Sequence, residues 1–178
     1  AIYLPLNSRL TVAEHQWILN DATPTVLVAD KDFLEQANAA LITSELEVRV
    51  EAELHAASPS APRIGAANDD VLLAYTSGTT GRPKGAVLTQ KALLANAVNA
   101  THAHDFSSHD RVLTLLPLFH VGGLNIQTLP ALFAGAAVLL HKSFNPEIWL
   151  KDVQRWKPTW SLLVPATLNA VSKHPNFK

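Results

Sequence analysis

The sequence predicts an α/β fold: a mostly parallel sheet with helices on both faces. Three observations carry this expectation. Short apolar runs of strand length alternate with longer segments of helical period. The run Val71-Leu72-Leu73-Ala74-Tyr75 is apolar throughout, as for a strand covered on both sides. Helix-start signals also recur between the strands: Thr11 with Glu14 three residues on, and Asn145 followed by Pro146.

The elements follow in order. Residues 1–4 (AIYL) read as a strand. The Thr11/Glu14 capping box opens a helix to about Asn20, with Trp17 and Ile18 facing inward, and Pro24 closes the connection. Residues 25–29 (TVLVA) read as a short buried strand, and 30–40 as a weak helix. Residues 45–54 (ELEVRVEAEL) alternate charged and apolar side chains, which predicts a strand with one wet face. Residues 55–68 are small, polar and proline-bearing, the composition of a linker. Strands are expected at 71–75 and 86–89, then a helix over 90–103 with Leu93, Leu94, Ala97 and Val98 as its apolar positions. A strand over 112–116, a helix over 124–134 stopped by Gly135, and a strand over 136–141 come next. A helix over 146–156, a strand over 160–164 and a helix over 165–173 complete the pattern.

The chain has 178 residues, enough for one compact domain or a large piece of one. With 48% hydrophobic and 16% charged residues it can build a core. A formal net charge of -1 argues against a nucleic-acid or anionic-membrane surface, which needs clustered positive charge. The absence of cysteine excludes disulfides, thiolate metal sites and cysteine nucleophiles, and fits a cytoplasmic setting. No apolar run approaches the roughly 20 residues of a membrane span. The first residues lack the layout of a secretory signal. With no methionine and an opening in mid-strand, the sequence reads as an internal piece of a longer protein.

One run forms no core. Tyr75-Thr76-Ser77-Gly78-Thr79-Thr80-Gly81-Arg82-Pro83-Lys84-Gly85 directly follows an apolar strand. Glycine lets backbone amides approach a ligand closely, and such amides form an anion-binding nest. Thr76, Ser77, Thr79 and Thr80 add hydroxyl donors, and Lys84 adds a full positive charge on a flexible stem. No acidic residue occurs from Val71 through His104, so nothing in that stretch cancels the potential. The guest this chemistry suits is a di- or triphosphate. The run is not a Walker A loop, because Gly81 is followed by Arg-Pro-Lys-Gly, and G-x-G-x-x-G occurs nowhere.

Residues 76–85 resemble the signature phosphate loop of the adenylate-forming superfamily, which contains acyl-CoA synthetases, peptide-synthetase adenylation domains and firefly-type luciferases. Residues 3–10 with Glu14, residues 116–123 (LPLFHVGG) and residues 163–167 (LVPAT) resemble neighbouring segments of the same family. The resemblance covers the whole chain and implies the middle of a large N-terminal AMP-binding domain. The rest of that domain and the C-terminal domain lie outside residues 1–178.

The resemblance implies ATP, magnesium and coenzyme A as reactants, and a carboxylic acid, fatty or other organic, as substrate. Thr76, Ser77, Gly78, Thr79, Thr80, Gly81 and Lys84 become phosphate contacts, with Lys84 also catalytic. His120 becomes a catalytic residue beside the acyl pocket and the α-phosphate. Gly122 and Gly123 would leave space for the acyl group. The later motifs for adenine, ribose and magnesium are not in this stretch, so the 178 residues alone are expected to be inactive. A peptide-synthetase adenylation domain and a non-catalytic nucleotide module remain alternatives, and homo-oligomerisation is left open.

His102 and His104 stand two apart and do not share a helical face, so a solvated helix end is expected there rather than a metal pair. Trp149, Trp156 and Trp160 are expected to pack the core. Arg82 is expected to be exposed.

Overall fold

The structure, a computed structural model, describes residues 1–41, 46–54, 65–76 and 82–177. It has two compact units: Ala1–Ala66 with Leu72–Val87, and Ala67–Val71 with Leu88–Lys178.

In the first unit, helix α1 (Val12–Ala22) starts at the expected capping box. The Thr11 N–H donates to Glu14 Oε2 at 2.8 Å, and the Glu14 N–H donates to Thr11 Oγ1 at 3.3 Å. These bonds satisfy two amides that a helix start would leave unpaired. The backbone bond first, then the Thr11 hydroxyl, holds the Glu14 carboxyl below its usual range. The helix buries His15, Ile18 and Leu19 and runs two residues past the expected end, to a left-handed Thr23.

Strand β1 (Val26–Ala29) leads through a short 3₁₀ turn into helix α2 (Leu34–Ala39). Strand β2 (Glu47–Val50) pairs parallel with β1, Val26 opposite Glu47 through Ala29 opposite Val50. The expected strand over 45–54 stops there, and Glu51–Leu54 forms one helical turn, α3. Its residues Glu-Ala-Glu-Leu are strong helix formers, and all four are exposed, so no buried face enforces the period of two. Strand β3 (Asp70–Thr76) pairs with β4 (Lys84–Thr89). The expected strand at residues 1–4 reduces to one parallel bridge, Tyr3 to Leu72. Residues 55–64 of the expected linker lie outside the described residues.

In the second unit, Thr89 caps helix α4 (Gln90–His104) by accepting from the Ala92 N–H at 3.2 Å. Strand β5 (Arg111–Thr114) pairs parallel with β6 (Ala137–Leu140), and Val112, Leu113 and Thr114 are fully buried. Phe106, Val112, Ala131 and Ala136 form the core of this unit, with Trp160 packed against it. His104 stacks into the same cluster, 4.9 Å from Trp160 and 5.4 Å from Phe106 between ring centroids. The solvated helix end expected there therefore holds only for His102, which is exposed. The aromatic surface beside His104 outweighs its exposure.

The expected strand at 160–164 is a single bridge, Val112 to Trp160. The Leu113 carbonyl explains the interruption: it accepts Ser161 Oγ at 2.8 Å and Gln127 Nε2 at 2.9 Å. Side chains fill the place a ladder amide would take. Residues 122–133 form a π-helix (Gly122–Thr128) that runs into helix α5 (Leu129–Phe133). Pro130 is the second residue of α5 and has no N–H to donate back along the helix, and the Asn125 carbonyl five residues before it accepts Asn96 Nδ2 at 2.7 Å. Gly135 follows at φ +80, the left-handed stop expected of it. Helix α6 (Pro146–Trp156) carries the Asn145 cap, and α7 (Pro165–Ser172) buries Val171. The fold is α/β as expected, with its described strands in three two-stranded pairings, two of them parallel.

Asp110 ties the start of β5 to the segment after α6. Its carboxylate accepts Thr159 Oγ1 at 2.7 Å, the Ser107 N–H at 2.7 Å and Ser107 Oγ at 2.9 Å. The Thr159 hydroxyl first, then the Ser107 amide, holds this carboxyl below its usual range. A depressed carboxyl stabilises the fold above its unfolded value, about 3.9, and loses that contribution as pH falls through the folded value. Asp110→Asn should lower stability by about 1 kcal/mol at neutral pH, allowing for exposure. Urea unfolding of both proteins from pH 7 to pH 3 should show the gap closing below about pH 4.

Candidate functional site

The singled-out run is anchored at both ends in strand. Thr76 is the last residue of β3 and Lys84 the first of β4. The strand thus begins two residues earlier than expected, because Pro83 holds extended backbone without needing a partner for an N–H. Ser77, Gly78, Thr79, Thr80 and Gly81 lie outside the described residues. Thr76 and Lys84 are both exposed, as is Arg82. No ion pair among the described residues engages the Lys84 ammonium. A strand-to-strand connection with a cation at its exit that pairs with no carboxylate among the described residues can accept an anion there.

Tyr75 immediately precedes this run. Its hydroxyl donates to Asp21 Oδ2 at 2.6 Å, and its ring meets Trp17 edge-on at 6.1 Å between centroids. Burial, reinforced by the Asp21 carboxylate, holds the phenol well above its ordinary range, so it stays protonated and donating. On β4, a Cβ at Gly85 would lie 3.1 Å from Tyr75 Cζ and 2.8 Å from Leu73 Cδ1. The sequence shows Gly85 beside Lys84 but carries no signal that Asp21, 54 positions away, meets Tyr75.

The second group belongs to the other unit. His120 is exposed and sits at the mouth of the π-helix, where the Gly122 N–H donates to its Nδ1 at 3.0 Å. While Nδ1 accepts that bond, the one N–H of the neutral ring is on Nε2. The His120 carbonyl in turn accepts from the Gly123 and Leu124 amides at 3.1 and 3.2 Å. The side chain therefore presents an N–H donor on a backbone fixed from both sides.

The two glycines differ. A Cβ at Gly122 would meet His120 Nδ1 at 3.2 Å, a movable ring. A Cβ at Gly123 would lie 2.5 Å from both the Leu116 and the Pro117 carbonyl oxygens, which cannot move without the strand end. Thr128 Oγ1 donates to the Gly123 carbonyl at 2.7 Å and bonds Thr114 Oγ1 at 3.2 Å. Gly123 is thus an approach of backbone to backbone. Sequence pattern finds the glycine pair but not this division between them.

Gly123→Ala should cost about 2–3 kcal/mol through overpacking, and Gly122→Ala less than about 1 kcal/mol. Thermal unfolding of the two variants checks this, with the larger fall in Tm expected for Gly123→Ala.

The AMP-binding enzyme family matches residues 1–178. The chain is 41% identical over 193 residues to an indoleacetate–CoA ligase of Aromatoleum aromaticum, covering all of this chain and 38% of that protein. It is 41% identical over 180 residues to a feruloyl-CoA synthase of an Amycolatopsis species, covering all of this chain and 36% of that one. Among solved structures it resembles ATP-bound MatB from Rhodopseudomonas palustris, with TM-score 0.85 and 27% identity over 98% of this chain and 36% of that one. The chain therefore spans a little over a third of the length of the relatives it matches.

Proposed function

Because the chain belongs to the AMP-binding enzyme family over its whole length, we propose that it is part of the N-terminal domain of an ATP-dependent acid–thiol ligase. A carboxylate oxygen attacks the α-phosphorus of ATP, the bond to pyrophosphate breaks, and an acyl-adenylate forms. The thiolate of coenzyme A then attacks the acyl carbon and AMP leaves, giving the thioester. The observation that carries this reading is the hydroxyl- and glycine-rich run held between Thr76 on β3 and Lys84 on β4.

The difficulty of the first step is electrostatic, since one anion must approach another. Thr76, Ser77, Gly78, Thr79, Thr80 and Gly81 would offer amides and hydroxyls to the phosphates. Lys84 would follow the charge that builds on the leaving pyrophosphate. Magnesium, when bound with the nucleotide, would add positive charge against the phosphates and ease the departure of pyrophosphate. His120 would offer its Nε2–H to a substrate oxygen, a role the Gly122 bond to Nδ1 supports. Gly122 would leave room for the acyl group beside the ring, and Gly123 would fix the backbone on which both depend.

We place aromatic acids first among substrates, because the two named relatives are ligases for indoleacetate and ferulate. Fatty acids form the second class to test. The proposal sets the reaction in the cytoplasm, where ATP and coenzyme A are available. Among the described residues, no helix is long and apolar enough to cross a membrane. Homo-oligomerisation is read from the mass of the purified protein in solution.

The test is carboxylate-dependent ATP–pyrophosphate exchange by the full-length protein, with a panel of arylacetic, cinnamic, fatty and amino acids. Exchange with an aromatic acid is expected, and Lys84→Ala should reduce it by about 100-fold. Exchange confined to amino acids would point instead to a peptide-synthetase domain. ATP binding without exchange would point to a non-catalytic module. The isolated 178 residues should show no exchange.

A further inference from the structure

Three side chains outside the proposed phosphate contacts converge on their base. Tyr75 lies one residue before Thr76 on β3, and Gly85 one residue after Lys84 on β4. The Tyr75 ring fills the space a side chain at 85 would need, with Cζ and Cε2 at 3.1 and 3.3 Å from its Cβ position. From the other side, Trp17 and Asp21 of α1 hold the same ring, Trp17 edge-on at 85° and Asp21 through the 2.6 Å bond to the hydroxyl. One side chain therefore links the helix to both strands that flank the run.

Packing alone does not call for this arrangement. A phenylalanine would meet Trp17 and cover Gly85 equally well, without bringing a hydroxyl and a carboxylate together. What the hydroxyl adds is a fixed distance to the backbone of α1, with a donor that does not titrate in the working range.

We infer that Asp21 and Tyr75 are positioning residues for ATP: their bond sets where Thr76 and Lys84 meet the phosphates. Neither contacts the nucleotide in this account. The inference rests on the ligase reading and adds residues which that reading does not use. The effect should fall on the phosphates alone, because the Tyr75 hydroxyl secures the strand ends that carry the phosphate ligands.

The experiment measures ATP–pyrophosphate exchange in the full-length protein for Tyr75→Phe, Asp21→Ala and Asp21→Asn, with KM for ATP and for the acid determined separately. Tm is measured alongside. Tyr75→Phe and Asp21→Ala should raise KM for ATP about five-fold and leave KM for the acid unchanged. Asp21→Asn, whose side-chain oxygen still accepts the phenol, should recover most of the loss. An unchanged KM for ATP in Tyr75→Phe overturns the inference. So does a parallel rise in both KM values with a fall in Tm, which marks a purely structural contact. Should the parent protein exchange with no acid, the ligase reading fails, and calorimetric ATP binding then decides on its own. Weaker ATP binding by Tyr75→Phe supports the positioning role, and equal or absent binding overturns it.

Discussion

A phenol hydroxyl 2.6 Å from a carboxylate joins helix α1 to strand β3 at the base of the run proposed to hold phosphate. Asp21 is placed by a helix whose start is set by the Thr11 and Glu14 capping box. Tyr75 is placed by a strand whose stretch from Val71 to Tyr75 is apolar. Their bond, with the ring laid over Gly85, determines where the two ends of the hydroxyl- and glycine-rich run emerge. A polyphosphate gains most from donors already in position, because each donor that must be ordered on binding subtracts from the attraction.

The second unit solves a different problem. Strand β5 is fully buried over Val112–Thr114, yet Thr114 is polar and the Leu113 carbonyl has no ladder partner on one side. Buried polar groups must be satisfied, and here side chains do it: Gln127 and Ser161 serve Leu113, and Thr128 serves Thr114. Gln127 and Thr128 reach their partners from the π-helix. The wider turn of that helix starts at Gly122 and Gly123, next to His120. The exposed histidine is therefore carried on a backbone held by buried hydrogen bonds and by the close approach at Gly123.

Much of this was legible in the sequence, and the failures have physical causes. The capping box at Thr11, the proline-led helix at Pro146 and the glycine stop at Gly135 were read correctly because local chemistry decides them. The second half of the 45–54 strand failed because Glu51–Leu54 is exposed, so propensity rather than burial chose its form. The 160–164 strand failed because Ser161 spends its hydroxyl on the Leu113 carbonyl, a contact 48 residues apart in sequence. His104 was misread because its aromatic neighbour Trp160 is 56 positions away. The run from Thr76 to Lys84, which we propose as an anion site, was visible by its hydroxyls, glycines and lysine. Its support by Asp21 and Trp17 was not, since no local pattern records a tertiary hydrogen bond.

In the proposed reaction a carboxylate oxygen displaces pyrophosphate from the α-phosphorus of ATP at this run. Oxygen tracing tests it most directly. The full-length protein would be incubated with ATP, coenzyme A and an ¹⁸O-labelled aromatic acid, and the released AMP analysed by mass spectrometry. Adenylation followed by thiol attack leaves one carboxylate oxygen on AMP in every turnover, so the account predicts AMP heavier by one ¹⁸O atom. Label appearing in inorganic phosphate, or unlabelled AMP alongside thioester, would contradict it.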